Sequence, residues 1–250
     1  MAKTIAVAGK GGTGKSTITA FVVLELVRRG ETPVLAVDAD PDSSLGALLG
    51  IEVAKSVGEL REDVIQSLKD FPAGMTKASY VEAGLHEVIE ESTGFDLITM
   101  GRGEGAGCYC YLNSLIRKFS DELSPSYRWV VIDNEAGLEH ISRRTTQFID
   151  TLLVVLNDNP LSFNSARRVQ EITGSLKNRI QKTYIVANMI REDRGDAFRD
   201  KLAALDMECI ATLGVDAEME EHVYTGAPLA SLENSKVRDS IASIVEKIGG

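Results

Sequence analysis

The sequence has few cysteines, few aromatic residues and no long apolar run, and these shortages exclude several classes of protein. Of 250 residues, only 3 are cysteine and 1 is tryptophan. A small, odd number of cysteines argues against a disulfide framework and favours a reducing compartment, so we expect a cytoplasmic protein. No apolar stretch approaches the roughly 20 residues of a membrane-spanning helix. The first residues pass at once from a short apolar run into glycines, which is typical of a strand and not of a signal peptide.

Basic residues are outnumbered: 27 lysines and arginines stand against 37 aspartates and glutamates, giving a formal net charge of −10. Proteins that bind phosphate backbones without sequence preference normally carry a basic surface, so we expect no nucleic-acid partner. The last 16 residues have apolar side chains at helical spacing, but few lysines accompany them. A membrane-surface helix needs bulkier apolar residues and more basic charge. We therefore expect no membrane partner and a terminal helix that packs on the core.

Short apolar runs rich in β-branched residues alternate with longer segments of helical period. This alternation predicts an α/β fold with a single doubly wound, mostly parallel β-sheet and helices on both faces. The runs are continuously apolar, as expected for strands that are buried on both sides. Because no repeat, linker or low-complexity tract interrupts the chain, we expect one domain over residues 1–250. The predicted strands are Thr4–Ala8, Val34–Val37, Leu97–Met100, Trp129–Ile132, Leu152–Leu156, Thr183–Ala187 and Glu208–Thr212, and the main predicted helices are Ser16–Arg29, Tyr111–Leu123, Ser162–Leu176 and Arg194–Leu205.

The loop after the first predicted strand, GKGGTGKST, matches the phosphate-loop pattern G-x-x-x-x-G-K-[ST]. Its glycines allow backbone N–H groups to converge on phosphate oxygens, and the following helix directs its positive end at the same anion. Lys15 places a positive charge on the β- and γ-phosphates, and the Ser16 hydroxyl is suited to ligate Mg²⁺. We therefore predict a P-loop NTPase that binds a nucleotide together with Mg²⁺. The predicted nucleotide ligands in this loop are Gly9, Gly11, Gly12, Thr13, Gly14, Lys15, Ser16 and Thr17.

Carboxylates follow two further predicted strands, at the edge of the sheet where ligands bind in such folds. The first group is Asp38, Asp40 and Asp42, and the second segment, DNEAG, contains Asp133 and Gly137. Such carboxylates are suited to hold Mg²⁺ through water and to orient an attacking water. We assign Asp40 to the water and the metal, Asp38 and Asp133 to the Mg²⁺ shell, and the Gly137 N–H to the γ-phosphate. Asp42 is explained equally well as a helix N-cap.

The phosphate loop carries an additional lysine, Lys10, and its pattern G-K-G-G-x-G-K-[ST] resembles that of one ATPase class. This class contains the nitrogenase iron protein and the septum-site, chromosome-partition and arsenite-pump ATPases. The resemblance implies a homodimer in which Lys10 reaches the nucleotide of the facing subunit and stabilises the transferring phosphoryl group. It also implies that the nucleotide is ATP or ADP, with adenine contacts from Asn188 and from the segment TLGVD, which includes Gly214 and Asp216. Gly214 stands where this class usually has proline, and a structural turn explains TLGVD equally well.

Two of the three cysteines, Cys108 and Cys110, are one residue apart in GAGCYCYLN. A disulfide between them would be strained, and a zinc site within one chain usually needs four ligands. If two subunits meet through their nucleotide faces, the two pairs supply four thiolates, which is a complete set for a soft divalent metal. Two alternatives stay open: thiols that are only packed, and an iron–sulfur cluster shared by two subunits. The third cysteine, Cys209, lies in a predicted strand and is expected in the core.

Two segments indicate a narrower family within this ATPase class: MGRGEGAGCYCYLNSLIRK and VVIDNEAGLEHISRRT. Together they resemble the nickel-insertion ATPases of the CooC type, which mature carbon monoxide dehydrogenase, and relatives that serve acetyl-CoA synthase. The departures are Gly103 and Ala106, where prolines are expected. The resemblance implies a dimer that binds one Ni²⁺, with Zn²⁺ competing, between its C-x-C pairs. It also implies ATP hydrolysis coupled to delivery of the metal into apo carbon monoxide dehydrogenase or acetyl-CoA synthase.

Two other functions are compatible with the phosphate loop. An ATP-driven partitioning or regulatory switch would cycle on DNA or membrane, but the net charge of −10 disfavours it and the cysteine pair would have no role. An iron–sulfur electron-transfer ATPase would have to use both thiols of C-x-C, because the later segment DNEAGLEHISRR has no cysteine. The metal-delivering ATPase accounts for both motifs and is the working hypothesis.

Overall fold

The structure is a computed structural model that describes residues 2–66, 83–101, 124–134, 148–175, 180–191, 193, 195–232 and 235–249. These ranges contain the phosphate loop, the aspartates at the strand ends and the segments assigned to the base. Cys108, Cys110, Gly137 and the predicted helix Tyr111–Leu123 lie outside the described residues.

The described part of the chain is organised around one sheet of eight strands. The strands are β1 (Lys3–Gly9), β2 (Val34–Ala39), β3 (Ile89–Glu91), β4 (Phe95–Thr99), β5 (Trp129–Asn134), β6 (Ile149–Leu156), β7 (Ile180–Ile190) and β8 (Glu208–Gly214). Their order across the sheet is β3-β4-β2-β5-β1-β6-β7-β8, and every pair is parallel except β3 with β4. Since β1 lies between β5 and β6, the loop that follows β1 opens at the middle of the carboxyl edge, where ligands bind in such sheets.

The seven predicted strands are confirmed, with ends that differ from the predictions by up to three residues. Strand β3 was not predicted, because Ile89–Glu91 is short and carries two glutamates at the edge of the sheet. It is joined to β4 by a tight hairpin, in which the Ser92 N–H donates to the Phe95 carbonyl at 3.0 Å. Strand β7 is longer than predicted, so Asn188 lies inside the strand and not after its end.

Helices connect these strands and cover the sheet. They are α1 (Lys15–Arg28), α2 (Leu45–Leu49), α3 (Val57–Gln66), α4 (Pro160–Ser175), α5 (Gly195–Ala203), α6 (Ala217–Thr225) and α7 (Lys236–Lys247). Helices α1, α4 and α5 confirm the predictions for these three segments. Helix α1 ends at Arg28 with Arg29 as its C-cap residue, and Gly30, which follows, adopts φ 72°. The N–H groups of Gly30 and Glu31 bond back to the carbonyls of Val27 and Leu26, so the last turn is closed.

Apolar side chains alternate between the two faces of the sheet, and helices cover both faces. In β1, Ile5 and Val7 join a cluster with α1, α2 and α7. Ala6 and Ala8 of the same strand join the cluster beneath α4 and α5. A third cluster packs β2, β4 and β5 against α3. This two-sided burial is the predicted doubly wound arrangement. Cys209 of β8 is only half-buried, at the margin of the second cluster.

The terminal helix α7 packs on the core, as the spacing of its apolar residues predicts. Its buried side chains are Val237, Ile241, Ile244 and Val245. They join the cluster that contains α1, and Nη2 of Arg29 donates to the Ala242 carbonyl at 2.6 Å. Among the described residues, no helix combines the length and the apolar character needed to cross a bilayer.

Packing of α7 can be tested by truncating one buried side chain. Ile241 is 1% exposed, and we expect Ile241→Ala to lower the free energy of unfolding by about 2–5 kcal/mol through lost burial and a residual cavity. Ser243→Ala, on the exposed side of the same helix, should change it by less than about 0.5 kcal/mol. Urea unfolding followed by circular dichroism measures both, and equal midpoints for the two variants would contradict docking of α7.

Candidate functional site

The loop between β1 and α1 is closed on itself and fits tightly against its surroundings. A Cβ atom at Gly9 would overlap the carbonyl oxygen of Val155 on the neighbouring strand β6. Gly14 has φ 86°, in the left-handed region that favours glycine. The Thr13 hydroxyl donates to the Lys10 carbonyl at 2.8 Å. The predicted phosphate-binding residues from Gly9 to Thr17 are therefore held together at the carboxyl edge of the sheet.

Lys15 is directed into the site and not into solvent. It is the first residue of α1 and is 6% exposed, and its Nζ lies 3.8 Å from a carboxylate oxygen of Asp40. An ammonium group has three donors, so one carboxylate at this distance leaves donors for phosphate oxygens. Two of the predicted catalytic residues are thus neighbours. The third, Lys10, is half-buried in the same loop.

The parallel register aligns two buried carboxylates at the end of the sheet. Asp38 of β2 pairs with Asp133 of β5, and both side chains are 0% exposed. Asp38 accepts hydrogen bonds from the N–H groups of Asp40 at 3.2 Å and Leu45 at 2.9 Å. Oδ1 of Asp133 accepts from the Thr19 hydroxyl at 3.3 Å. Oδ2 of Asp133 has no hydrogen-bond partner among the described residues, so a buried acceptor is left for a ligand.

Burial penalises the charged forms of both carboxylates. It raises the pKa of Asp38 to about 6, although the N–H groups of Leu45 and Asp40 offset part of the effect. It raises the pKa of Asp133 to about 7, and the Ser16 hydroxyl offsets part of that effect. Neighbouring carboxylates raise both values further. A cation placed next to these groups would favour their ionised forms.

The side chains around Asp133 fit a magnesium ion that keeps part of its water shell. Mg²⁺ prefers oxygen ligands and binds through few carboxylates together with water and phosphate. Ser16, Asp38 and Asp133 supply a hydroxyl and two carboxylates at one place, and Oδ2 of Asp133 is an acceptor for a metal-bound water. The predicted Mg²⁺ residues are therefore brought together, and their individual roles stay predictions.

A cleft of about 430 Å³ opens in front of the phosphate loop, a size typical of small-ligand sites. Two walls are the phosphate loop and the segment that carries Asp40. A third wall comes from the end of α6 and was not predicted. It consists of Val223, Gly226 and Ala227. The Gly-Ala-Pro turn after a helical segment is the only signal in the sequence that could have indicated it.

Asp42 is not a helix N-cap, which corrects one of the two explanations offered for it. Helix α2 begins at Leu45 with Ser44 as its N-cap residue, and the Ser44 side chain makes no capping bond. The Leu45 N–H is bound instead by the Asp38 carboxylate. Asp42 is exposed and lines the cleft.

The residues assigned to the base lie on the neighbouring strands β7 and β8. Asn188 is 1% exposed, and its Nδ2 donates to the Thr13 carbonyl in the phosphate loop at 3.0 Å. Gly214 pairs with Ile190 of β7. Asp216 caps α6 by accepting two backbone N–H bonds, at 3.1 and 3.2 Å, as the structural explanation of TLGVD expects. Adenine contacts by these three residues stay predictions.

Comparison with known proteins places these features in a family. The model described as the CobQ/CobB/MinD/ParA nucleotide binding domain matches residues 4–229. That span contains the phosphate loop, both buried carboxylates, the cysteine pair and the base segments.

Individual relatives match over nearly their whole length. An uncharacterised ATP-binding protein of Methanocaldococcus jannaschii is 38% identical over 247 residues, 98% of this chain and 97% of that protein. The carbon monoxide dehydrogenase accessory protein CooC of Rhodospirillum rubrum is 26% identical over 264 residues, again 98% of this chain and 97% of that protein. The solved structure of the septum site-determining protein MinD complexed with Mg-ADP from Pyrococcus horikoshii superposes on this chain with a TM-score of 0.68. The two sequences are 18% identical, and the match covers 100% of this chain and 96% of that one. The structural match shows that the fold is shared.

The buried carboxylates predict an unusual dependence of stability on pH. Without nucleotide and Mg²⁺, the folded protein keeps a proton on Asp133 up to about pH 7, whereas an unfolded aspartate releases it near pH 4. The folded state therefore binds more protons in this window, and its stability falls as the pH rises. We expect Asp133→Asn to be more stable than wild type by about 2–4 kcal/mol at pH 8, with the difference shrinking by more than half at pH 5.

Thermal and urea unfolding between pH 5 and 8 measure this difference. The matched control is Asp206→Asn, which removes an exposed carboxylate and should follow the wild-type pH dependence. If the free energies of unfolding of wild type and of Asp133→Asn changed with pH in parallel, burial of Asp133 would not penalise its charge.

Proposed function

Because this chain belongs to the family of CobQ/CobB/MinD/ParA nucleotide-binding domains, we propose that it is an ATP-dependent metallochaperone. In this proposal a homodimer binds Ni²⁺ between paired Cys108-x-Cys110 motifs and couples ATP hydrolysis to insertion of nickel into carbon monoxide dehydrogenase or acetyl-CoA synthase. Family membership confirms the predicted ATPase class. The observation that carries the finer proposal is the cysteine pair, present on a chain that matches a carbon monoxide dehydrogenase accessory protein over 98% of its length.

The geometry of the loop supports the nucleotide part of the proposal. Backbone N–H groups of the loop and the start of α1 bind the phosphates, and Lys15 neutralises charge on them. Asp40, beside Lys15, orients the attacking water. Mg²⁺, when bound by Ser16 and through water by Asp38 and Asp133, neutralises charge on the β- and γ-phosphates. Asn188 with Gly214 and Asp216 binds the base, and Gly137 binds the γ-phosphate.

In the proposed homodimer, the ammonium group of Lys10 contacts the nucleotide that is bound by the facing subunit. Within its own loop, the Lys10 carbonyl accepts a hydrogen bond from the Thr13 hydroxyl at 2.8 Å, and we assign the ammonium group to the partner's site. A cation supplied by a second copy makes hydrolysis conditional on dimer formation, as in other phosphoryl-transfer enzymes that receive a cation in trans.

Nickel is the cargo of the proposed cycle. Four thiolates from two copies form a closed set for a soft divalent metal, and Zn²⁺ binds the same donors well. The recipient is an apo enzyme, for which the name of the Rhodospirillum rubrum relative favours carbon monoxide dehydrogenase. The net charge of −10 supports neither nucleic acid nor membrane as a partner.

A described contact links the nucleotide site to Met100, which precedes the cysteine segment in sequence. The Met100 N–H donates to the Asp38 carbonyl at 2.8 Å, and the Met100 carbonyl accepts from the Gly58 N–H at 2.9 Å. Met100 follows β4 and precedes the segment that contains the cysteines. A nucleotide that shifts Asp38 therefore has a bonded neighbour through which to act on that segment, and coupling between sites requires such differential contacts.

Nickel binding tests the metal part of the proposal directly. We expect an anaerobic Ni²⁺ titration to give one nickel per dimer, with thiolate-to-metal charge-transfer absorption and a shift to the dimer in size measurements. The Cys108→Ser/Cys110→Ser variant should lose the metal and the metal-induced dimer, while its ATP affinity stays at the wild-type value. Cys209→Ser is the matched control, because that thiol lies on β8 and is not part of the C-x-C pair, and this variant should bind nickel like wild type.

Two results would contradict the metal-carrier proposal. Nickel binding that survives the double substitution would leave an ATP-driven switch whose cysteines are only packed. A brown protein absorbing near 400 nm after anaerobic purification would favour the iron–sulfur alternative.

The role of Lys10 in trans makes a separate prediction. We expect Lys10→Ala to bind ATP with nearly wild-type affinity and to hydrolyse it at least about 10³-fold more slowly, since cations supplied in trans give effects of this size. The control is Lys182→Ala, which changes an exposed side chain on β7 and should leave the rate of ATP hydrolysis unchanged.

Mixing two inactive variants distinguishes action in trans from action in cis. In a heterodimer of Lys10→Ala with Asp40→Asn, one of the two sites receives both intact residues if Lys10 acts across the interface. Random mixing should then restore roughly a quarter of the wild-type phosphate release, because half of the dimers carry one intact site. No recovery would place Lys10 in its own subunit's site.

A further inference from the structure

Strand β7 is irregular where it passes behind the phosphate loop. Its register with β8 breaks between Ala187 and Ile190. Within this break Met189 has φ 56°, a left-handed conformation that a side chain other than glycine adopts only at a cost. A bulge of this kind turns a side chain out of the regular alternation of a strand. Asn188 lies in the same break, next to Met189.

Asn188 is packed against the back of the loop. It is 1% exposed, and its Nδ2 donates to the Thr13 carbonyl at 3.0 Å. The contact is close: a Cβ atom added to Gly14 would overlap the Asn188 amide and would lie 3.5 Å from Cε of Met189. The two bulge residues therefore occupy the space behind Gly14, and Gly14 itself lines the nucleotide cleft.

The peptide between Thr13 and Gly14 is able to face in two directions. In a trans peptide the C=O and N–H groups point to opposite sides. Gly14 tolerates positive and negative φ about equally, so its own conformation does not determine which side faces the cleft. With the Thr13 carbonyl bound at the back by Asn188, the Gly14 N–H is directed away from Asn188. The reversed peptide would present a carbonyl dipole to the phosphates in place of a donor.

We infer that Asn188 is a positioning residue for the phosphate loop: its amide holds the Thr13 carbonyl so that the Gly14 N–H is available to a polyphosphate. This role is separate from an adenine contact, because it acts on the phosphates whatever base is attached. The inference rests only on the nucleotide part of the proposed function and is independent of nickel. An aspartate at position 188 could not replace the amide, since its carboxylate has no donor for the Thr13 carbonyl.

Inorganic tripolyphosphate, which has no base, separates the two roles of Asn188. We expect Asn188→Ala to weaken Mg-tripolyphosphate binding roughly tenfold, the usual effect of one hydrogen bond. Asn188→Asp should weaken it more, because it adds negative charge next to the phosphates. Isothermal titration of Mg-tripolyphosphate and of Mg-ATP against each variant measures the effect.

Three results of this experiment would overturn the inference. Unchanged tripolyphosphate affinity with weakened ATP affinity would assign Asn188 to the base alone. Unchanged affinity for both ligands would leave it without a role at the site. A wild-type protein that binds ATP but not tripolyphosphate would show that the loop does not hold phosphates without the base. The inference is separate from the metal part of the proposed function. If the protein bound no nickel but the Asn188 substitutions still weakened Mg-tripolyphosphate binding, only the metal part would be contradicted.

Two controls separate positioning from a general loss of structure. Tyr184→Phe, on the same strand but away from the loop, should leave both affinities unchanged, and thermal unfolding identifies variants that do not fold.

The wild type provides a test without any substitution. On addition of Mg-tripolyphosphate, the Gly14 amide resonance should shift and the Asn188 side-chain amide should stay protected from exchange. A Gly14 resonance that does not move, or an unprotected Asn188 amide, would contradict the inference.

Discussion

The parallel register of β2 and β5 places Asp38 beside Asp133 at the carboxyl edge of the sheet, and both carboxylates are withdrawn from solvent. Charge in such a place is costly unless hydrogen bonds, an ammonium group or a metal ion compensates it. Two backbone N–H groups bind Asp38, whereas Asp133 keeps one oxygen without a partner among the described residues. Oδ2 of Asp133 is therefore an acceptor suited to a metal-bound water, and Lys15, whose Nζ lies 3.8 Å from Asp40, keeps donors for an anion. Magnesium with a polyphosphate fits both features.

The phosphate loop meets these carboxylates because both lie on the central strands of one sheet. Gly9 brings the end of β1 close to β6, and the chain turns from there into α1. The interior of the loop is held from behind by Asn188, a residue about 175 positions later in the chain. The β1–α1 segment therefore supplies the donors, while a distant strand fixes their direction. Met189, which adopts φ 56°, is next to Asn188 on this strand, and its Cε lies 3.5 Å from the position of a Cβ atom added to Gly14.

Sequence patterns were sufficient for the parts of the molecule that depend on local chemistry. Continuous apolar runs identified seven strands, and glycine spacing with Lys15 and Ser16 identified the phosphate loop. Features that depend on long-range packing were missed. Strand β3 has too little apolar character to be recognised, and the wall formed by Val223, Gly226 and Ala227 reaches the cleft only through the fold. Asn188 was identified as a site residue, but it lies inside β7 and not after its end, and its orientation depends on a bulge that no residue pattern indicates.

The measurement that tests this account most directly is a calorimetric titration of ATP into the wild type at pH 6.5, with Mg²⁺ and with EDTA, in buffers of different ionisation enthalpy. The account predicts one ATP per chain, much tighter binding with Mg²⁺, and release of protons on binding, because the pKa values of Asp38 near 6 and Asp133 near 7 would fall beside a cation. ATP binding that is indifferent to Mg²⁺ and releases no protons would contradict the account, since the buried carboxylates would then have no part in holding the nucleotide.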